Sequence, residues 1–272
     1  MSTQPVLSNV LLLPLNKQID ANYSKTKATV LKQFARQYFA SSSQTELGKM
    51  TEEELFQTLK DAWDFIQERK SARPKIRFVH RKLTKDKKRQ TGTSIYLLLD
   101  DMPFLVDSVR QNLNRAGVVI RNVHNFVLFV ERGGKGRAAG NQLKKIAVGK
   151  NDGHKAEALS CINCAHLTES QSKAVEANIR EALKHVSAAV NDFHPMCNRA
   201  RSIQNALLAN SKFAPVSQDE VKESSEFISW LLDNHFTFLG YEEYRIRNLK
   251  QGKVMELQED SLLGVSRLKT DL

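Results

Sequence analysis

The stretch FVERGGKGRAAGNQLKKIAV, residues 129–148, decides between two architectures. Gly134, Gly136 and Ala139 fit G-x-G-x-x-A, the turn that leads a strand into a helix and cradles a dinucleotide in a doubly wound parallel sheet. That reading needs a helix straight after Ala139, with its N-terminus facing the pyrophosphate. The residues after Ala139 are instead Gly140-Asn141-Gln142 and then LKKIAVG (143–149), too short and too β-branched for such a helix. The chain also has no acidic residue about 20 positions on, at the end of a second parallel strand, to hold a ribose. Glycines, basic residues and Asn141 between two strand-like runs describe a long hairpin loop. The expected sheet is antiparallel, and no cofactor-binding residue is assigned.

Working outward, KIRFVHR (75–81), TSIYLLL (93–99), GVVIRNVHNFVLFVE (117–131) and ALSCINCAHL (158–167) read as strands by alternation or β-branched content. Thr51-Glu-Glu-Glu54 and Ser217-Gln-Asp-Glu220 are capping boxes that open helices, and Thr168-Glu-Ser-Gln171 opens a third striped by Val175, Ile179 and Leu183. Further helices are expected over about 20–40 and about 197–210. Residues 70–192 then run β-β-α-β-β-β-α, an α+β sandwich with helices on one face of a largely antiparallel sheet. NHFTFLGYEEYRI (234–246) and KVMELQ (253–258) read as a hairpin that begins another module. The expected organisation is a helical region over 1–70, an α+β domain over 71–212 and a helix plus hairpin over 213–272. The linker is SKFAPVS (211–217).

The chain has 272 residues, a net charge of +11 and three cysteines. Three thiols speak for a reducing compartment, and the cytoplasm is expected. No apolar run approaches the roughly 20 residues of a membrane span. Residues 69–89 hold eleven Lys or Arg against the single acid Asp86, nearly the whole charge excess. Such a block can bind phosphate backbones, but without interleaved aromatics it reads better as a solvated edge strand and loop. A nucleic-acid-binding module acting through 69–89 remains the alternative, and nucleic acid is not the expected partner.

Cys161-Ile-Asn-Cys164, with His194 and Cys197, has the residue types of a zinc site. On a strand, residues three apart face opposite ways, so Cys161 sides with Leu159 and Cys164 with Ile162. Buried apolar thiols are expected, with no metal ligand. Asp100-Asp101-Met102-Pro103 precedes a helix, where an Asp is expected to cap free N–H groups and Pro to fit the first turn. No Ser/His/Asp arrangement, phosphate-binding loop or H-E-x-x-H string occurs, and no catalytic residue is assigned.

The segment DMPFLVDSVRQNLNRAGVVI (101–120) resembles the first strand-to-helix turn of an ACT domain, through Asp101, Pro103, Leu105, Val109, Leu113 and Gly117, with Phe104 where the typical turn has Gly. The resemblance implies a ferredoxin-like sandwich with flanking N-terminal and C-terminal helices. It also implies an amino-acid effector near Asp101, Met102, Pro103 and Phe104. More broadly, LLLDDMPFLVDSVRQNLNRAGVVIRNVHNFVLFVER (97–132), HVSAAVNDFHPM (185–196) and WLLDNHFTFLGYEEYRI (230–246) resemble the N-terminal portion of the large bacterial NAD-specific glutamate dehydrogenases. That family implies a non-catalytic regulatory or assembly segment with no cofactor of its own, NAD being used by the parent enzyme. Its implied partners are a downstream catalytic region of the same polypeptide and further copies in a homo-oligomer.

Overall fold

The computed structural model describes residues 9–40, 47–48, 50–70, 73–85, 88–133, 142–147, 154–210, 216–249 and 252–271. The chain divides into two compact units, Met1–Arg180 and Glu181–Leu272. Residues 211–215 of the expected linker lie outside the described residues.

The first unit opens with helices α1 (Asn9–Asn22), α2 (Lys25–Phe39) and α3 (Glu52–Ile66). Strands β1 (Lys75–Lys85) and β2 (Lys88–Asp100), helix α4 (Leu105–Arg115), and strands β3 (Ile120–Gly133), β4 (Gln142–Ala147) and β5 (Lys155–Ala165) come next, leading into α5 (Glu169–Asn191). The expected β-β-α-β-β-β-α order is the observed one. The helix expected over 20–40 is two helices, broken at Tyr23–Ser24, and the first reaches back to Asn9 despite Pro14 in its interior. Thr51 and Glu54 form the expected capping box, Glu54 N–H donating to the Thr51 hydroxyl at 3.1 Å. Thr168 and Gln171 reciprocate in the same way.

Among the described residues the strands of this unit form one antiparallel sheet in the order β1-β2-β5-β3-β4. β5 thus sits centrally although it comes last, because β3 and β4 turn away before the chain returns between β2 and β3. Gly133 pairs with Gln142, so the glycine-rich stretch leads into a strand running antiparallel. Gly134–Ala139 themselves lie outside the described residues.

Helices were expected on one face of the sheet; they cover both. Tyr96, Leu98, Leu128, Val130, Leu159 and Cys161 join Leu31, Phe34 and Tyr38 of α2 and Leu59, Phe65 and Ile66 of α3 in one core. Phe126 packs edge-on against Tyr38, with ring centroids 5.5 Å apart. Ile95, Leu97 and Leu99 alternate to the other face and are equally buried. α4, buried through Leu105, Val109 and Leu113, packs beside β3 there. Val175 and Ile179 of α5 are buried as well. The five-residue apolar run Ile95–Leu99 is the physical reason: a strand without polar alternation needs cover on both sides.

The second unit contains α6 (Phe193–Ala209), α7 (Gln218–Trp230), a short wide turn over Leu231–His235, β6 (Gly240–Leu249), β7 (Gly252–Gly264) and a closing 3₁₀ segment, Val265–Asp271. Ser217 and Glu220 form the second expected capping box. Gln204 ties α6 to α7 by donating to the Ser225 carbonyl at 2.9 Å and the Ser229 hydroxyl at 2.6 Å. β6 and β7 pair as the expected hairpin. Its base is held at Asp192, whose carboxylate accepts from Gly264 N–H at 2.7 Å and Arg267 Nε at 2.6 Å. Gly264 has φ +60°, and a Cβ there would collide with the Leu239 carbonyl oxygen.

Candidate functional site

β2 ends at Asp100, and one further bond, Asp101 N–H to the Ala156 carbonyl at 3.1 Å, extends its ladder with β5. The chain then turns through Met102 and Pro103 to Phe104, which caps α4 from a left-handed backbone, φ 63° and ψ 0°. An L-residue in that region costs about 1–2 kcal/mol, which is why turns of this shape favour glycine. Phe104 is 54% exposed. Asp101 does not cap the helix as expected: among the described residues no side chain caps the N-terminus of α4, where the first-turn amides have no partner within the helix.

A hollow of about 140 Å³ opens at this turn, lined by Asp101, Met102, Phe104, Leu105, Val106, Asp107, Asn125 and Ala158. Three of the four residues singled out from sequence therefore border one hollow; Pro103 stands in the turn without lining it. Sequence reasoning missed Asn125 and Ala158. They reach the hollow because β5 lies between β2 and β3, an ordering that local pattern does not encode. Asn125 is held from β5, its Oδ1 accepting from the Ser160 hydroxyl at 2.6 Å. The hollow is smaller than the roughly 300–1,000 Å³ of a drug-sized site. A larger hollow of about 370 Å³ lies in the second unit beside Arg199, Glu243, Arg245 and Asp260. There Arg199 and Glu243 already answer each other at 3.3 Å.

Directly beneath the turn lies a buried ionic cluster that sequence reasoning also missed. Glu157, on β5 next to Ala158, accepts from Arg132 Nε and Nη2, both at 2.7 Å, and from Arg69 Nη1 at 3.1 Å. Arg69 also donates to Asp100, and Lys155 pairs with Asp100 at 2.8 Å. Burial alone would raise the Asp100 carboxyl, but the hydrogen bonds and charges of Lys155 and Arg69 hold it below the ordinary carboxylate range. Arg132 also donates to the Ile66 carbonyl at 3.1 Å, tying the end of α3 to the sheet.

Four basic residues of the stretch 69–89, namely Arg69, Lys75, Arg77 and Arg81, are engaged within the first unit, while Lys70 is exposed; the side chains of 82–89 lie outside the described residues. Besides Arg69, Lys75 donates to the Phe65 and Glu68 carbonyls, each at 2.6 Å. Arg77 donates to the Asp61 carbonyl and lies over the Phe65 ring. Arg81 reaches the Thr58 hydroxyl, the Asp61 carboxylate and, at 2.7 Å, the Tyr96 hydroxyl. β1 is nonetheless an edge strand, as expected.

Cys161 and Cys164 face opposite ways. Cys161 lies in the core cluster shared with α2 and α3, whereas Cys164 donates to the Thr93 carbonyl at 3.3 Å. All three cysteines are free and buried. Burial raises the Cys161 thiol and pushes Cys164 up to about 11.

The five-stranded antiparallel sheet, the strand-to-helix turn at 101–104 and the helices on the sheet define an α+β sandwich of ACT-like type. The family described as glutamate dehydrogenase, ACT1 domain matches residues 34–181, and the chain belongs to it. The NAD-specific glutamate dehydrogenase of Halomonas elongata is 34% identical over 261 residues, 95% of this chain and 16% of that protein. Its counterpart from Pseudomonas aeruginosa is 36% identical over 240 residues, 86% of this chain and 14% of that protein. The chain thus spans about a sixth of the length of these relatives. Among the described residues no helix is long and apolar enough to cross a membrane.

Proposed function

We propose that this chain is a non-catalytic regulatory and assembly segment of a large NAD-specific glutamate dehydrogenase. The parent enzyme would oxidise L-glutamate to 2-oxoglutarate and ammonium with reduction of NAD, in the cytoplasm and as a homo-oligomer. The observation that carries the regulatory half is the hollow at the uncapped N-terminus of α4. The free amides of the first helical turn suit an α-carboxylate. The Asp101 carboxylate suits an ammonium, and Met102 and Phe104 suit a short apolar side chain. An amino acid seated there would stiffen the turn above Asp100 and the Glu157 cluster, and so bias how this unit meets the downstream catalytic region. Coupling of this kind is typically about 1–3 kcal/mol, a roughly 5–150-fold change in affinity. Isothermal titration of the whole polypeptide with a panel of amino acids tests it. Heat that is lost in Asp101→Ala supports the site; no heat with any amino acid removes the effector and leaves assembly alone.

A further inference from the structure

In an antiparallel pair, residues directly opposite each other share a face. Across β6 and β7, Ile246 stands opposite Met255 and Tyr244 opposite Leu257, while Arg245 stands opposite Glu256 and Glu243 opposite Gln258. Over these four pairs the hairpin therefore has an apolar face and a charged face, the latter braced by an Arg247–Glu256 ion pair at 2.8 Å, while nearer the turn Val254 joins the charged side and Lys253 the apolar one. α6 meets the charged side, through Arg199 to Glu243. The apolar face is left bare: Ile246 is 63%, Met255 64% and Leu257 38% exposed. Alternation of this kind is what a sheet shows when one face is packed, and a hairpin of two strands is marginal by itself in water. Among the described residues no third strand joins either edge.

We propose that an apolar layer, from polypeptide of the same molecule outside this stretch, packs on the Ile246–Met255–Leu257 face. The inference rests on reading the chain as a segment of a large dehydrogenase. In the relatives this stretch is 16% and 14% of the protein, so several times its length is there to supply the cover. A second copy is the weaker occupant. A self-complementary contact through so few side chains falls far short of the roughly 800 Å² per partner of a stable interface.

The test uses the whole natural polypeptide carrying Met255→Cys or Glu256→Cys, neighbours on opposite faces, with maleimide labelling and then peptide mass spectrometry. The buried Cys161, Cys164 and Cys197 serve as slow internal references. A thiol at 255 is expected to react at least about tenfold more slowly than one at 256. The ratio is expected to hold across a roughly hundredfold dilution. Equal rates at the two positions overturn the proposal. Protection at 255 that vanishes on dilution also overturns it, in favour of a second copy. Ile246→Cys repeats the measurement should the 255 variant fail to fold. Glutamate-dependent NADH formation by the same preparation reports separately on the dehydrogenase reading, so the two can fail independently.

Discussion

Phe104 occupies a backbone conformation that its own side chain disfavours, and about half of the residue is in water. Phe104→Gly removes a left-handed strain of about 1–2 kcal/mol and restores about 0.5–1 kcal/mol of unfolded-chain freedom that folding must overcome. The balance predicts a variant between neutral and about 1 kcal/mol more stable in urea unfolding, while Phe104→Ala, which keeps the strain, gains nothing. A loss on Phe104→Gly would show that the ring holds the turn. Asp100 gives a pH prediction. Its folded carboxyl is depressed, so its contribution is fully present above the unfolded value near 3.8 and is lost as pH falls through the lower folded value. Below about pH 4 the wild-type midpoint should therefore fall more steeply than that of Asp100→Asn; parallel acid limbs would show that Lys155 and Arg69 do not stabilise the charged form.

At the level of elements, Glu157 joins β5 to Arg132 on β3 and to Arg69 beyond the end of α3. Removing one member of a buried ionic group leaves the others uncompensated, at a cost of about 3–5 kcal/mol. Glu157→Gln should lose stability on that scale by urea titration, whereas a change below about 1 kcal/mol would mean that water satisfies the two arginines. Nothing local in KAEALSC marks Glu157 as special, because its partners lie 25 and 88 positions away. What the sequence made legible was local: three caps, the strand runs, the turn at Asp101–Phe104, and the opposed faces of Cys161 and Cys164. α1 escaped because Pro14 and an unbroken leucine run hide its 3.6-residue period, although Leu12 and Leu15 are buried. The second helical layer escaped for a related reason. A continuous run such as Ile95–Leu99 says that both faces are covered but not by what.

Across the whole molecule, the charge of +11 is the feature that points away from a dehydrogenase segment and toward nucleic acid. Charge binds a phosphate backbone only where side chains are free to reach it. Of the eleven basic residues in 69–89, Arg69, Lys75, Arg77 and Arg81 are committed inside the first unit and Arg73 also has a partner, so at most six (eleven minus five) are left. Each phosphate neutralised contributes about −0.9 to the slope of log K against log salt, so duplex DNA binding through this stretch should show a slope no steeper than about −5. Arg81→Gln separates the two roles of the stretch. It strips Asp61 and the Tyr96 hydroxyl of a charged donor, so the unfolding free energy should fall by about 2–3 kcal/mol, while any salt slope stays where it was. A slope that shrinks by about one unit in Arg81→Gln, with stability unchanged, would place that guanidinium on phosphate and make nucleic acid the partner to pursue.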